Sequence, residues 1–225
     1  MYRISVTTIE KFRRFMTGAS SFDTEEALIE TIKGLFIGND KTDIGSAYHK
    51  IIEGEATIMG TGLVADNIFF TSEQAAPALE FKARHKSMIH EVSVTKFYES
   101  RCGTIQVSAR ADGLKGREIR DTKLKFRAPD FQEYIDSYQW RYYEDMLGLD
   151  LFYYDIFEAK GFAEFGYGSV RTLPGVIIEP HEPLQCVRYR NMGEDCRSML
   201  NDFLDYIENR NFWSLLKTVP DLVPA

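Results

Sequence analysis

The feature that most constrains this chain is a change of hydrophobic period at its centre. From Met88 to Phe126 apolar and polar residues alternate, whereas the flanking segments repeat at helical spacing. A period of two sends successive side chains to opposite faces of a strand; a repeat of three to four keeps them on one side of a helix. A block of sheet set between helices has to bury its apolar faces against them, which gives a layered α/β arrangement. The 225 residues are 44% hydrophobic and 27% charged, enough for a buried core in a single domain.

Three central strands are predicted. The first runs from Met88 to Tyr98, and the second from Thr104 to Leu114, with Ile105, Val107, Ala109 and Ala111 on one face. A turn at Gly113 to Gly116 leads to the third, Glu118 to Phe126. Upstream, residues 1–20 read as an edge strand or short helix. A helix starts at Asp23 or Thr24, carries Leu28, Ile32, Leu35 and Phe36 in its stripe, and ends by Gly38 to Asp40. Another runs from Thr42 or Asp43 to Glu53, with Ile44, Tyr48, Ile51 and Ile52 inward, and stops at Gly54. Gly60 to Pro77 reads as loop, with a short strand or turn at Asn67 to Phe70, and has no assigned role. Downstream, one helix is expected from Pro129 to Leu147, then a strand from Leu151 to Ala159. Short strands at Val176 to Ile178 and Cys186 to Tyr189 precede a closing helix, Cys196 to Asn211. No repeat or linker divides the chain, so one α/β domain with a mixed sheet between helices is expected over residues 1–225.

Charge is unevenly distributed. The chain is net −7, yet residues 82–127 hold 12 Lys/Arg against 5 Asp/Glu, a local +7. A local field of that sign suits a phosphate backbone, although on charge alone solvated strand edges are the preferred explanation. No apolar run reaches the ~18 residues that span a bilayer, so no membrane partner is expected. Cys102, Cys186 and Cys196 are odd in number and widely spaced, as in reduced thiols of a cytoplasmic protein.

Three groups of residues could carry chemistry. The polar face of the second strand ends at Asp112, and Asp121 and Lys123 share a face of the third, about 7 Å apart. The hairpin brings Asp112 towards Asp121, and two carboxylates beside a lysine make a hard-oxygen site for Mg²⁺ or Mn²⁺. On the second helix Gly45, His49 and Glu53 follow at four-residue spacing, and Gln139 and Tyr143 do so after the third strand. Each has a plainer explanation: Asp112-Gly113 as a turn pair, Asp121 and Lys123 as a surface ion pair, His49 on a helix surface, Tyr143 in the core.

Taken in order, the four elements resemble the PD-(D/E)XK nuclease superfamily in its RecB-like branch. A helix with Gly45 and His49 precedes an aspartate ending a strand, Asp112. An acid-x-lysine strand, Asp121-Thr122-Lys123, and a Gln139-x-x-x-Tyr143 helix follow. The resemblance implies a restriction-endonuclease-like core, with the motif-bearing part over about residues 44–159. It also implies a Mg²⁺-dependent deoxyribonuclease, with Mn²⁺ as substitute, of the exonuclease type found in phage recombination and DNA processing. Asp112 and Asp121 would bind the metal by carboxylate, His49 by imidazole and Thr122 by its backbone carbonyl. Lys123 would orient or help deprotonate water and neutralise phosphate charge, and Gln139 and Tyr143 would hold the strand. Glu53 ranks after these as an outer ligand. Some relatives of this kind carry an iron–sulfur cluster on four cysteines; with three, none is expected here. DNA is the implied partner, with a recombination protein as a second and the oligomeric state open. The compartment is the cytoplasm, that of the host for a phage protein. The alternative is a catalytically inactive nucleic-acid-binding or protein-interaction module of the same fold, for which the −9 of residues 128–225 offers a basic partner a surface.

Overall fold

The computed structural model describes residues 1–35, 38–166 and 168–220. Strand β1 (Tyr2–Ser5) runs directly into helix α1 (Val6–Thr17), so the first segment is both strand and helix, although β1 is paired on both sides rather than at an edge. Helices α2 (Glu25–Lys33) and α3 (Asp40–Glu53) follow. Next come short strands β2 (Thr57–Met59), β3 (Gly62–Ala65) and β4 (Ile68–Phe70), and helix α4 (Ser72–Arg84). The alternating block forms β5 (Ile89–Ser100), β6 (Gly103–Lys115) and β7 (Glu118–Lys125). Helices α5 (Phe131–Ile135) and α6 (Tyr138–Leu147) lead to β8 (Leu151–Lys160). Strands β9 (Arg171–Thr172), β10 (Ile177–Pro180) and β11 (Leu184–Val187) precede helix α7 (Met192–Asn209) and strand β12 (Lys217–Thr218).

The fold is α/β. Its main sheet runs β10-β8-β7-β6-β1-β12, with β5 also on β6 and β11 also on β8. The sheet is mixed: β1 is parallel to β6 and β7 to β8, while β5, β10, β11 and β12 pair antiparallel. A second sheet, β2-β3-β4-β9, is smaller. One apolar cluster joins Ile105, Val107, Ala111, Ile119 and Phe152 to α1, α6 and α7; the other joins Phe157, Ala159 and Ile178 to α3, α4 and the small sheet. Strand β8 serves both, Phe152, Tyr154 and Ile156 facing one cluster and Phe157 and Ala159 the other. Burial on both faces is why its apolar residues do not alternate with polar ones.

Four sequence expectations are corrected. Gly60 to Pro77 is not a loop: it holds β3, β4 and the start of α4, with Pro77 inside the helix. An interior proline costs a hydrogen bond. Here a capping box between Thr71 and Gln74 and burial of Ala75, Ala78 and Phe81 offset that loss. The expected single helix from 129 to 147 is two, because the Ser137 side chain caps α6 by accepting from the Gln139 N–H. Helix α2 ends at Lys33, where Gly34 turns left-handed (φ 70°), leaving Leu35 exposed; Phe36 lies outside the described residues. Helix α7 begins four residues early, with Glu194 and Asp195 in its first turn, where the dipole favours acids.

Glu144 of α6 is fully buried, and neither carboxylate oxygen has a hydrogen-bond partner. Burial pushes its pKa up to about 8, against the pull of Arg188. The unfolded chain releases this proton near pH 4.3, so stability falls as pH rises from there towards 8. Glu144→Gln is expected to stabilise the fold by about 1–3 kcal/mol at pH 8 and by little at pH 5. Thermal melts across that range check it; a gain that does not vary with pH would contradict the assignment.

Candidate functional site

The site forms where two strands part. β6 and β7 pair only over Gly113↔Arg120, Leu114↔Ile119 and Lys115↔Glu118. Beyond that, β7 keeps its full ladder with β8, whereas β6 turns to β1 and β5. Asp112 and Asp121 are the first residues past the split. The Thr122 N–H, left without a β6 carbonyl to pair with, donates instead to the Asp112 side chain, Oδ2 at 2.9 Å, and Thr122 Oγ1 does so at 3.3 Å. His49 of α3 completes this group. Its Nδ1 lies 3.7 Å from Asp112 Oδ2 and 3.3 Å from Thr122 Oγ1.

Alternation along β7 sends Asp121 and Lys123 to the other side, towards α6. Asp121 is 1% exposed. Lys123 Nζ lies 2.5 Å from Asp121 Oδ2, and Gln139 Nε2 donates to Oδ1 at 3.0 Å. Tyr143 receives a hydrogen bond from Gln139 and donates its own hydroxyl to the Arg110 carbonyl at 2.9 Å. The seven residues therefore form two adjoining groups, joined through Thr122.

Burial sets the charges. It raises the Asp121 carboxyl to about 7, Asp112 adding to the rise and Lys123 opposing it. Burial works against the Lys123 ammonium, but Asp121 and Asp112 hold its pKa above the ordinary lysine value. It lowers the His49 pKa despite Asp112, so the imidazole is neutral at pH 7, with a lone pair to offer. Glu53, one turn beyond His49, is raised to about 7 by burial and by Glu91 and Glu55.

His49, Asp112, Thr122 and Lys123 line a cleft of about 1270 Å³ that also takes in Gly45, Glu53, Glu91 and Arg110. Asp121, Gln139 and Tyr143 do not line it. Tyr143 is 4% exposed and sits in the core, so the expected contact with a bound strand is replaced by positioning of Asp121 and β6. The +7 segment is not one track either. Of its residues expected on a phosphate path, Arg110 and Lys125 reach the cleft, while Lys82 and Lys86 line a different hollow and Arg117 pairs with Asp150. Lys123 and Arg127 of the same segment also line the cleft, and further cleft cations come from outside the segment: Lys11 and Arg14 of α1, Lys41 and Lys50 of α3. Glu91 was also missed. It stands between the β5 pairs His90↔Gly113 and Val92↔Ala111, opposite Asp112, with φ 56°, a strained value for a glutamate.

The donors are of the kind a divalent cation takes: carboxylate, neutral imidazole and backbone carbonyl. Asp121 Oδ2 is buried and accepts no hydrogen bond of good geometry, but it faces the Lys123 ammonium at 2.5 Å, and a cation would compete with that ion pair. Among the described residues, no three His, Cys, Asp or Glu side chains stand close enough together to hold a metal as they are. Asp121 is committed to Lys123 instead. The cysteines are elsewhere, Cys186 and Cys196 buried and Cys102 exposed.

No protein-family model matches the sequence, and no curated protein matches it. A solved structure, the crystal structure of SSO0001, is similar in fold, with a TM-score of 0.50 at 10% identity over 92% of this chain and 77% of that one. No described helix is long and apolar enough to cross a membrane.

Gly45 also faces the cleft. A Cβ built there meets nothing within 4 Å, so packing does not require a glycine in the first half of α3. A glycine inside a helix is about 0.5–1 kcal/mol less favourable than alanine. Gly45→Ala is expected to stabilise the chain by that amount in urea denaturation; a loss of stability would mean a hidden steric demand.

Proposed function

We propose that the chain is a metal-dependent deoxyribonuclease that hydrolyses phosphodiester bonds in the cleft between α1, α3 and β7. The observation that carries this reading is the meeting of His49 and Asp112 at the Thr122 backbone, between Asp121 and Lys123. Residues separated by up to 74 positions are brought together where the strands part, and the groove beside them is lined by cations. His49, Asp112, Asp121 and the Thr122 carbonyl would hold Mg²⁺, or Mn²⁺ in its place. When bound, the metal supplies a more acidic water and screens the phosphate oxygens.

The chain's own groups divide the remaining work. Lys123 stays an ammonium at neutral pH, because two carboxylates hold its proton. It therefore orients water and stabilises negative charge on phosphate rather than acting as a base. The Asp112 carboxylate fixes β7 by taking the Thr122 N–H. Gln139 aims Asp121 by holding Oδ1, and Tyr143 holds Gln139 and the β6 backbone. Lys41, Lys125 and Arg127 offer positive charge along the cleft to the flanking phosphates. Action from a DNA end, a place in phage-type recombination or processing with a partner protein, and residence in the cytoplasm belong to the same proposal.

Linear and circular DNA, single- and double-stranded and end-labelled, incubated with Mg²⁺, Mn²⁺, Ca²⁺ or chelator, tests it. Cleavage by the wild type with Mg²⁺ or Mn²⁺ is expected, none with chelator, and a loss of at least about 100-fold in Asp112→Ala and Lys123→Ala. Release of mononucleotides from linear DNA with circles left intact would mark an exonuclease. Cleavage that persists in both variants would remove this site from the reaction, and no cleavage of any substrate would favour the inactive binding module.

A further inference from the structure

The turn between α1 and α2 displays an aromatic ring that the fold itself does not use. Phe22 is 83% exposed, although it lines the same cleft as His49, Asp112 and Lys123. An exposed apolar residue is unremarkable on a loose loop. This turn is tightly anchored. Asp23, whose side chain is 2% exposed, receives Lys11 Nζ at 2.8 Å, Arg14 at 3.0 Å and the Ser20 hydroxyl at 2.8 Å. Lys11 also donates to the Phe22 carbonyl at 3.2 Å, and the Phe22 N–H donates to Ser20 Oγ at 3.3 Å. The Asp23 N–H donates to the Ser20 carbonyl at 3.0 Å. Burial opposes the Asp23 charge, but these bonds prevail and hold its carboxyl down at about 2.

The surroundings indicate what the ring would meet. The cleft also carries Lys41, Lys125 and Arg127, and Glu133 pairs with both Arg127 and the Arg14 that anchors the turn. Neither Lys41 nor Lys125 has a carboxylate within salt-bridge distance among the described residues. Each lies over a ring instead, Lys41 Nζ 5.6 Å from the Phe126 centroid and Lys125 Nζ 5.5 Å from that of Tyr134. A cation on an aromatic face keeps its charge for a further anion. Arg127 points partly to Glu133. A solvent-facing aromatic on an anchored turn, in one cleft with two lysines that have no salt-bridge partner among the described residues, matches one ligand chemistry: a base with its phosphate. Single strands offer both, stacking on aromatic side chains while cations follow the backbone.

We infer that Phe22 is a stacking platform for an unpaired base of a single-stranded DNA segment, whose adjacent phosphate lies against Lys41 and Lys125. This rests on the nuclease reading only in taking DNA as the occupant of the cleft. The platform selects frayed or single-stranded ends over intact duplex, because a paired base has no free face to offer. Asp23, Lys11 and Arg14 act as positioning residues that hold the ring in place.

The test is binding of a labelled single-stranded oligonucleotide to the full chain in chelator, which prevents metal-dependent cleavage, with a matched duplex in parallel. Phe22→Ala is expected to weaken single-strand binding about 5- to 100-fold, the range for one stacked base. Phe22→Leu, which keeps bulk without a ring, should weaken it similarly, and Phe22→Trp should restore it. Duplex binding should change little, and the variants should melt with the wild type, since the side chain is exposed. Lys41→Ala or Lys125→Ala should each lower the salt slope of binding by about 0.7, as one lost single-strand phosphate contact does. Unchanged single-strand binding in Phe22→Ala, or full binding in Phe22→Leu, overturns the platform. If the wild type still cleaves DNA under those outcomes, the nuclease reading stands; a wild type that neither binds nor cleaves DNA overturns both.

Discussion

The structure turns on one hydrogen bond, from the Thr122 N–H to Asp112 Oδ2. Antiparallel strands normally satisfy each other's backbone along their length, but β6 and β7 do so for three residue pairs only. A buried N–H without a partner costs about 1–3 kcal/mol, so the strands can diverge only if something replaces the ladder. Asp112 does this with a side chain. The replacement leaves a carboxylate at the fork and puts it beside the one residue that lies between an acid and a lysine. Much of the candidate site follows from that substitution of a side chain for a strand.

Divergence also explains why the site has two faces. Thr122 points towards α3 and meets His49, whereas Asp121 points towards α6, where it meets Gln139 and pairs with Lys123. Strand alternation puts the Thr122 side chain on the opposite face of β7 from Asp121 and Lys123. Lys123 is long enough to pair with Asp121 and still line the cleft, which makes it the link between a buried carboxylate and solvent. The buried pair is a source of order rather than of large stability, since desolvation cancels much of its attraction.

Much of this was legible in the sequence. The alternating strands, the helix carrying His49 and the order of the polar residues depend on local periodicity, which one sequence displays directly. The strand containing Asp121 and Lys123 was placed almost to the residue, and Asp112 was rightly set on the polar face of its strand. What could not be read was three-dimensional. Gly60 to Pro77 read as loop, whereas packing of Ala75, Ala78 and Phe81 secures a helix through Pro77. The cleft cations Lys11 and Lys41 are remote from the basic segment, because a face gathers residues from several elements and a charge count follows only one chain. Tyr143 was assigned to the substrate when its spacing placed it equally well in the core, and spacing alone does not choose between them. Glu91 gave no signal, since its left-handed backbone is visible only in the fold.

The central claim is that the fork at Asp112 is built to take a divalent cation. Titration calorimetry of Mn²⁺ into the metal-free full chain, beside Asp112→Ala and His49→Ala, addresses it most directly. One bound ion per wild-type chain, with affinity falling at least tenfold in each variant, is the result this account requires. A wild type that takes up no Mn²⁺, or variants that bind it as well as the wild type, would contradict it.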